Sequence, residues 1–183
     1  MRDLITRRTF QAALAVSAMA ASTTPMALAA DENRDYPAPR FRPPNKKPKL
    51  GTLLVQDFVI FAHYDLDMVK TLLSKEPALL NATFDWGAGD WETALGGASH
   101  MGRRDIAEFL LEKGARIDLF AAAMIGNLHV VKGILTAHPA LVNAKGPHGI
   151  TLLAHAQAGK KQAEEVLTYL ASLQRAISTE RGK

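Results

Sequence analysis

The segment Leu73-Ser-Lys-Glu-Pro77-Ala-Leu-Leu-Asn81-Ala82 is echoed further along by Leu135-Thr-Ala-His-Pro139-Ala-Leu-Val-Asn143-Ala144, with Leu, Pro, Ala, Leu, Asn and Ala at matching places. The offset between the copies is close to two periods of roughly 31–33 residues, a length typical of stacked structural repeats. A third copy is therefore expected between them, and Leu111-Glu-Lys-Gly114-Ala115-Arg-Ile-Asp118 supplies it with Gly in place of Pro. The internal repetition decides the architecture.

Each copy follows or contains the end of an apolar stripe at helical spacing: Val69, Leu72 and Leu73; Ile106, Leu110 and Leu111; Val130, Val131, Ile134 and Leu135. A fourth stripe comprises Val166, Tyr169 and Leu170. Spacings of three and four residues put such side chains on one face of a helix. Before each of the last three stripes lies a short segment rich in small residues: Ala94 to Met101, Phe120 to Ile125 and Leu152 to Ala158, followed by Gly102, Gly126 and Gly159. Small residues permit close helix stacking, and glycine suits the left-handed position that ends a helix. Helix, glycine turn, second helix and loop, repeated about four times, describe a solenoid of antiparallel helix pairs. A charge introduced at Leu111 is expected to break the second unit's core.

These residues resemble the ankyrin repeat, written G-x-T-P-L-H-x-A-A-x-x-G with a second helix ending L-L-x-x-G-A-x-x-N. Residues 91–118 resemble one full unit: Thr93, Leu95, Ala98, Ser99 and Gly102 fall on the first half of the motif, and Leu110, Leu111, Gly114 and Ala115 on the second. The unit at 119–144 keeps Ala122, Ala123, Gly126 and Asn143 but lacks the Thr-Pro-Leu-His start, so its turn must be abbreviated. The unit at 145–173 keeps Gly149, Thr151, Leu152 and Ala156, and that at 53–82 is the least regular, as an N-terminal cap would be. The resemblance implies an all-α ankyrin-repeat solenoid of about four stacked helix-turn-helix units over residues 53–173. It also implies binding to another protein through loop tips and inner helices, without catalysis.

The chain has 183 residues, 22 Lys+Arg against 18 Asp+Glu, 48% hydrophobic residues and no Cys. This composition supports one ordinary folded domain. It excludes disulfides, thiolate metal sites and cysteine nucleophiles. Residues 1–29 carry Arg2, Arg7 and Arg8, an Ala-rich run from Ala12 to Ala21 and the small-x-small site Ala27-Leu28-Ala29. That is the layout of a cleavable export signal, and the run is too short to remain as a membrane span. Thr6-Arg7-Arg8-Thr9-Phe10 resembles a twin-arginine signal, although Gln11 and Ala12 replace its usual Leu and Lys. A periplasmic protein, cleaved near Ala29, is expected. Removal of residues 1–29, with three Arg and one Asp, leaves the chain nearly neutral, so no nucleic-acid partner is indicated. Residues 30–52 form a Pro-rich linker in which Arg40, Arg42, Lys46, Lys47 and Lys49 surround Phe41. It reads as a semi-rigid spacer, with membrane-surface attachment as the alternative. Residues 174–183 form a polar C-terminal tail, expected to fray.

The least regular stretch, Phe84-Asp85-Trp86-Gly87-Ala88-Gly89-Asp90-Trp91-Glu92, holds both tryptophans. It reads either as an aromatic and acidic recognition tip or as Trp side chains folded back over the first repeat. Phe84, Trp86, Asp90, Trp91 and Glu92, with His100 and Met101, are the candidate partner-binding residues. The histidines form no helical i, i+4 pair and no H-E-x-x-H run, so neither metal ligation nor any other cofactor is expected from spacing. Repeat register makes His63 and His100 neighbours on the inner face, which keeps a small metal-dependent or hydrolytic enzyme as an alternative. Ser99 beside His100 carries no catalytic signal, because adjacent helical residues point in different directions. The reading is a monomeric, exported, non-catalytic protein-binding module.

Overall fold

The computed structural model describes residues 35–37, 39–41, 44 and 47–181, with side chains described as far as Arg175. Residues 46–183 form one compact unit, separate from residues 1–45. The export-signal reading and the proposed cleavage site near Ala29 lie outside the described residues, as does part of the Pro-rich linker. In the N-terminal unit, the described side chains of Tyr36, Arg40 and Phe41 are exposed.

The compact unit is mostly helical. Its helices come in four consecutive pairs: α1 (Thr52–Phe61) with α2 (Leu66–Lys75), α3 (Ala94–His100) with α4 (Arg104–Glu112), α5 (Leu119–Met124) with α6 (Leu128–Ala137), and α7 (Leu152–Ala158) with α8 (Glu164–Arg181). The first members stack in order, α1 on α3, α3 on α5 and α5 on α7, while α2 packs on α4 and α6 on α8. No helix among the described residues is long and apolar enough to cross a membrane. The described part of the polar C-terminal tail continues α8, which ends at Arg181.

The apolar stripes account for this stack. Val69 with Leu73, Ile106 with Leu110, Val131 with Leu135 and Val166 with Leu170 are i, i+4 couples, and all eight side chains are buried. In the second pair, Leu110 is the fully buried leucine, whereas Leu111 is half-buried against the same cluster. The expectation attached to Leu111 therefore belongs more strongly to Leu110. Small residues fill the first helices, where Ala94, Ala98, Ala121, Ala122, Ala123 and Ala156 are fully excluded from solvent.

Two of the three turn glycines take the left-handed backbone foreseen for them, Gly102 with φ 66° and Gly126 with φ 78°. Gly159 does not. Its φ is −71°, and Lys160 takes the left-handed position with φ 54°. Glycine is needed at 159 for a different reason: a Cβ there would run into the Met124 carbonyl at the end of α5.

The echoed segments become matching 3-10 turns, Pro77–Asn81 and Pro139–Asn143, each with Pro at its start, where the missing N–H costs nothing. They bury different members, Leu79 in the first and Val142 in the second. Asn81 Oδ1 accepts a hydrogen bond from the Arg116 backbone N–H at 2.8 Å, joining the first turn to the loop after the second pair. The Arg104 guanidinium similarly donates to the Ile125 carbonyl at 2.6 Å, tying the second pair to the third.

A two-stranded antiparallel hairpin, not foreseen from the sequence, joins the first two pairs: β1 (Thr83–Asp85) and β2 (Trp91–Thr93), with Phe84 opposite Glu92 and Asp85 opposite Trp91. Between α4 and α5 no strand forms, and α5 begins directly at Leu119 after Asp118. At only six residues, α5 leans on its cap, in which Asp118 Oδ1 accepts from the Ala121 N–H at 2.7 Å. Asp118→Ala should cost about 1 kcal/mol, measured as a lower urea midpoint at unchanged slope.

Candidate functional site

The hairpin sets the site by its alternation. Successive strand residues point to opposite faces, so Trp91 faces solvent at 57% exposure while Glu92 is completely buried. Phe84, opposite Glu92, is half-buried and packs on the core. The turn between the strands takes positive φ at Gly87, Ala88 and Gly89, and Asp85 Oδ1 accepts from the N–H groups of Gly87 and Gly89. This bend returns the Trp86 indole inward, edge-on to Phe84 with 4.8 Å between ring centroids. Trp86 Nε1–H donates to Glu92 Oε2 at 2.8 Å.

Glu92 is the middle of a histidine cluster. His100, at the end of α3, places Nε2 2.9 Å from Glu92 Oε1 and 3.1 Å from His63 Nε2. His63 Nε2 lies 3.6 Å from Glu92 Oε2, and His148 Nε2 lies 3.4 Å from the same oxygen. Among the described residues, the ion-pair partners of Glu92 are all imidazoles. Burial would push its carboxyl up, but the hydrogen bond from His100, the proximity of His63 and the indole N–H of Trp86 outweigh it and hold the carboxyl below the ordinary range.

Each outer histidine is fixed through its other nitrogen. His63 Nδ1 is 2.8 Å from the Val59 carbonyl, which can only accept, so Nδ1 carries the hydrogen and Nε2 faces the centre. The ring lies against Gly97, where a Cβ would come within 2.7 Å of it. His148 Nδ1 donates to Asp90 Oδ2 at 2.9 Å, and its backbone N–H donates to Asp90 Oδ1 at 2.8 Å. This double grip holds His148 at φ 58°, a conformation uncommon for a side-chain-bearing residue. The same bonds, that from the His148 backbone foremost, lower the Asp90 carboxyl.

His155 stands behind the cluster, its ring 6.4 Å from that of His100 and 5.0 Å from Phe120. Its Nδ1 donates to the Thr151 carbonyl at 3.0 Å, while Nε2 is buried with no protein partner. Burial lowers its basicity, only partly opposed by the bond to Thr151. Ser99 Oγ is likewise buried and unpaired, a packing position rather than a nucleophile beside a base.

Of the candidate partner-binding residues, Trp91 and Met101 are exposed, at 57% and 54%. Phe84, Trp86, Glu92 and His100 turn inward, and Asp90 is engaged with His148. The sequence reading brought His63 and His100 together but did not include His148 in their group. His148 comes from the fourth pair's turn and depends on a long-range contact that spacing does not reveal.

Beside Trp91, a cleft of about 470 Å³ is walled by Trp91, Phe120, Leu141 and Pro147, with Asp90 and Lys145 at its edges. Comparison with family models, with curated proteins and with solved structures found no match to this chain.

Proposed function

We propose that the chain is an exported, periplasmic, ankyrin-type solenoid that binds another protein and has no catalytic activity of its own. The observation that carries this reading is Trp91, a large aromatic held in solvent by the hairpin register at the mouth of the cleft beside the first helices. Burying an exposed Trp is a common source of interface energy. The ankyrin assignment is supported by the motif residues falling in register with the helix pairs: Thr93 caps α3 by accepting from the Gly96 N–H, Thr151 caps α7 in the same way from Ala154, and Gly102 and Gly126 end the first helices of their pairs.

Affinity capture of the tagged full chain from the cell envelope, followed by mass spectrometry, tests the reading. A specific protein retained by wild type and lost or strongly reduced with Trp91→Ala plus Met101→Ala is expected. Recovery of no specific protein, or of one indifferent to both substitutions, would overturn it. Fractionation of the same cells tests the location, with a shortened species outside the cytoplasm as the expected result.

A further inference from the structure

We propose that His63, Glu92, His100 and His148 form a binding site for one divalent transition-metal ion of the zinc class. The inference stands whether or not the cleft beside Trp91 takes a partner.

Four features carry it. The first is distance. A tetrahedral ion with Zn–N and Zn–O bonds of about 2.0–2.1 Å needs its ligand atoms about 3.3 Å apart. The separation from His63 Nε2 to His100 Nε2 is 3.1 Å, that from His100 Nε2 to Glu92 Oε1 is 2.9 Å, and those from His148 Nε2 and His63 Nε2 to Glu92 Oε2 are 3.4 and 3.6 Å. One ligand atom from each of the four residues lies within 4.8 Å of every other. An ion at the centre requires the more distant of these atoms to close in on it.

The second is the direction of the lone pairs. With Nδ1 of His63 committed to the Val59 carbonyl and Nδ1 of His148 to Asp90, each ring presents Nε2 to a buried carboxylate, and in the neutral form of the ring that atom carries a lone pair. Lone pairs converging on an anion repel one another unless a cation stands among them. In the hydrogen-bonded arrangement, a hydrogen on His100 Nε2 serves Glu92 Oε1 or the nearby His63 Nε2, but does nothing for the His148 Nε2 against Oε2. A single ion accepts all four donors.

The third is outer support of the kind ligating histidines have, in which a carbonyl or carboxylate takes the second ring N–H and fixes tautomer and orientation. Val59 and Asp90 do this for His63 and His148, and the Trp86 indole steadies Glu92. The fourth is the backbone. His148 is held in the left-handed region by both oxygens of Asp90, and Gly97 lacks the side chain that would exclude the His63 ring. Strained and cut-away positions of this sort cluster where side chains must be aimed.

The donor set selects the ion. Imidazole nitrogen suits zinc, copper, nickel and iron, whereas calcium and magnesium prefer all-oxygen shells. Three imidazoles with one carboxylate, their ligand atoms all within 4.8 Å of one another, fit zinc. An opening of about 300 Å³ bounded by Ile60, Tyr64 and Trp86 reaches His63 and His148 from solvent and provides the entry path. Four protein ligands complete a tetrahedral shell, so the bound ion is a clasp and not a site of water activation.

The test uses the full chain, freed of metal by chelator and dialysed, then titrated with zinc sulfate and, separately, with Co2+ as a spectroscopic probe. Expected are one zinc per chain, the intense visible absorption of tetrahedral Co2+, and a higher melting temperature with zinc than without. His148→Ala, on an exposed turn, should weaken zinc binding tenfold or more. Asp90→Asn should weaken it about 10–100-fold through the His148 tautomer, each variant retaining the wild-type far-ultraviolet dichroism. His129→Ala, on the exposed side of α6, should leave the affinity unchanged. Failure of wild type to take up stoichiometric zinc would overturn the proposal. So would uptake and a Co2+ spectrum unaltered by both His63→Ala and His148→Ala.

Discussion

Gly126→Ala should destabilise the protein by about 2–4 kcal/mol, a large share of the stability of a domain of this size. Two costs act together. Gly126 has φ 78°, where an alanine is strained by about 1 kcal/mol. The added Cβ would also collide with the Gln162 carbonyl and crowd the Ala163 Cα in the 3-10 turn just before α8. Because both are main-chain atoms, the turn cannot yield as a flexible side chain would, and overpacking of this kind adds a further 1–3 kcal/mol or more. Gly133 provides the contrast: it lies within α6, and a Cβ there meets nothing within 4 Å. Gly133→Ala should raise stability by up to about 1 kcal/mol through helix propensity. Urea titration of both variants checks the pair, and a loss below about 1 kcal/mol in Gly126→Ala would contradict the packing account.

Glu92→Ala should cost about 3 kcal/mol in metal-free protein, because it leaves the partly buried Trp86 N–H and His100 Nε2 without their acceptor. Its signature is in the pH profile. The Glu92 carboxyl is held below its ordinary value of 4.5, so the unfolded chain binds the proton more readily and the stabilisation, full above that value, is lost as pH falls below it. His155 adds a second limb in the same direction. Burial depresses its basicity from 6.5, so the unfolded chain takes up a proton first and stability falls as pH drops below about 6.5. Thermal melts of chelator-treated wild type should therefore show stability declining in two stages from neutral to acid. Glu92→Ala should shrink the lower stage, to which the lowered Asp90 carboxyl also contributes, and leave the upper one, whereas a lower stage of unchanged size would show that the Glu92 carboxyl is not held as described.

The helix pairs were legible because their signal is redundant. The couple Ile106 and Leu110 repeats in kind at Val69, Val131 and Val166, and the spacing alone assigns a face. Gly126 was legible as a helix end, but its closeness to Gln162 was not, since that depends on how the third pair meets the fourth. The hairpin escaped because three-residue strands are too short to display alternation, and the glycines between them resemble a loop. Without its register, neighbouring Trp91 and Glu92 read as one recognition tip, although the strand sends one outward and the other inward. His63 and His100 could be brought together by repeat register. His148 could not, because a repeat is expected to touch only its neighbours.

That expectation fails for an identifiable reason. The turn ahead of the third pair is reduced to the few residues before Leu119, and the hairpin of the second pair reaches the turn Pro147–Gly149 of the fourth directly. Asp90 and His148 meet across the gap, and α3 touches α7 as well as α5. A linear array peels from its ends, one repeat at a time, each loss leaving the remainder indifferent. Here the shortened turn closes a bypass circuit: releasing the last pair also withdraws a support from the second, and the middle of the array gives warning when its end is disturbed.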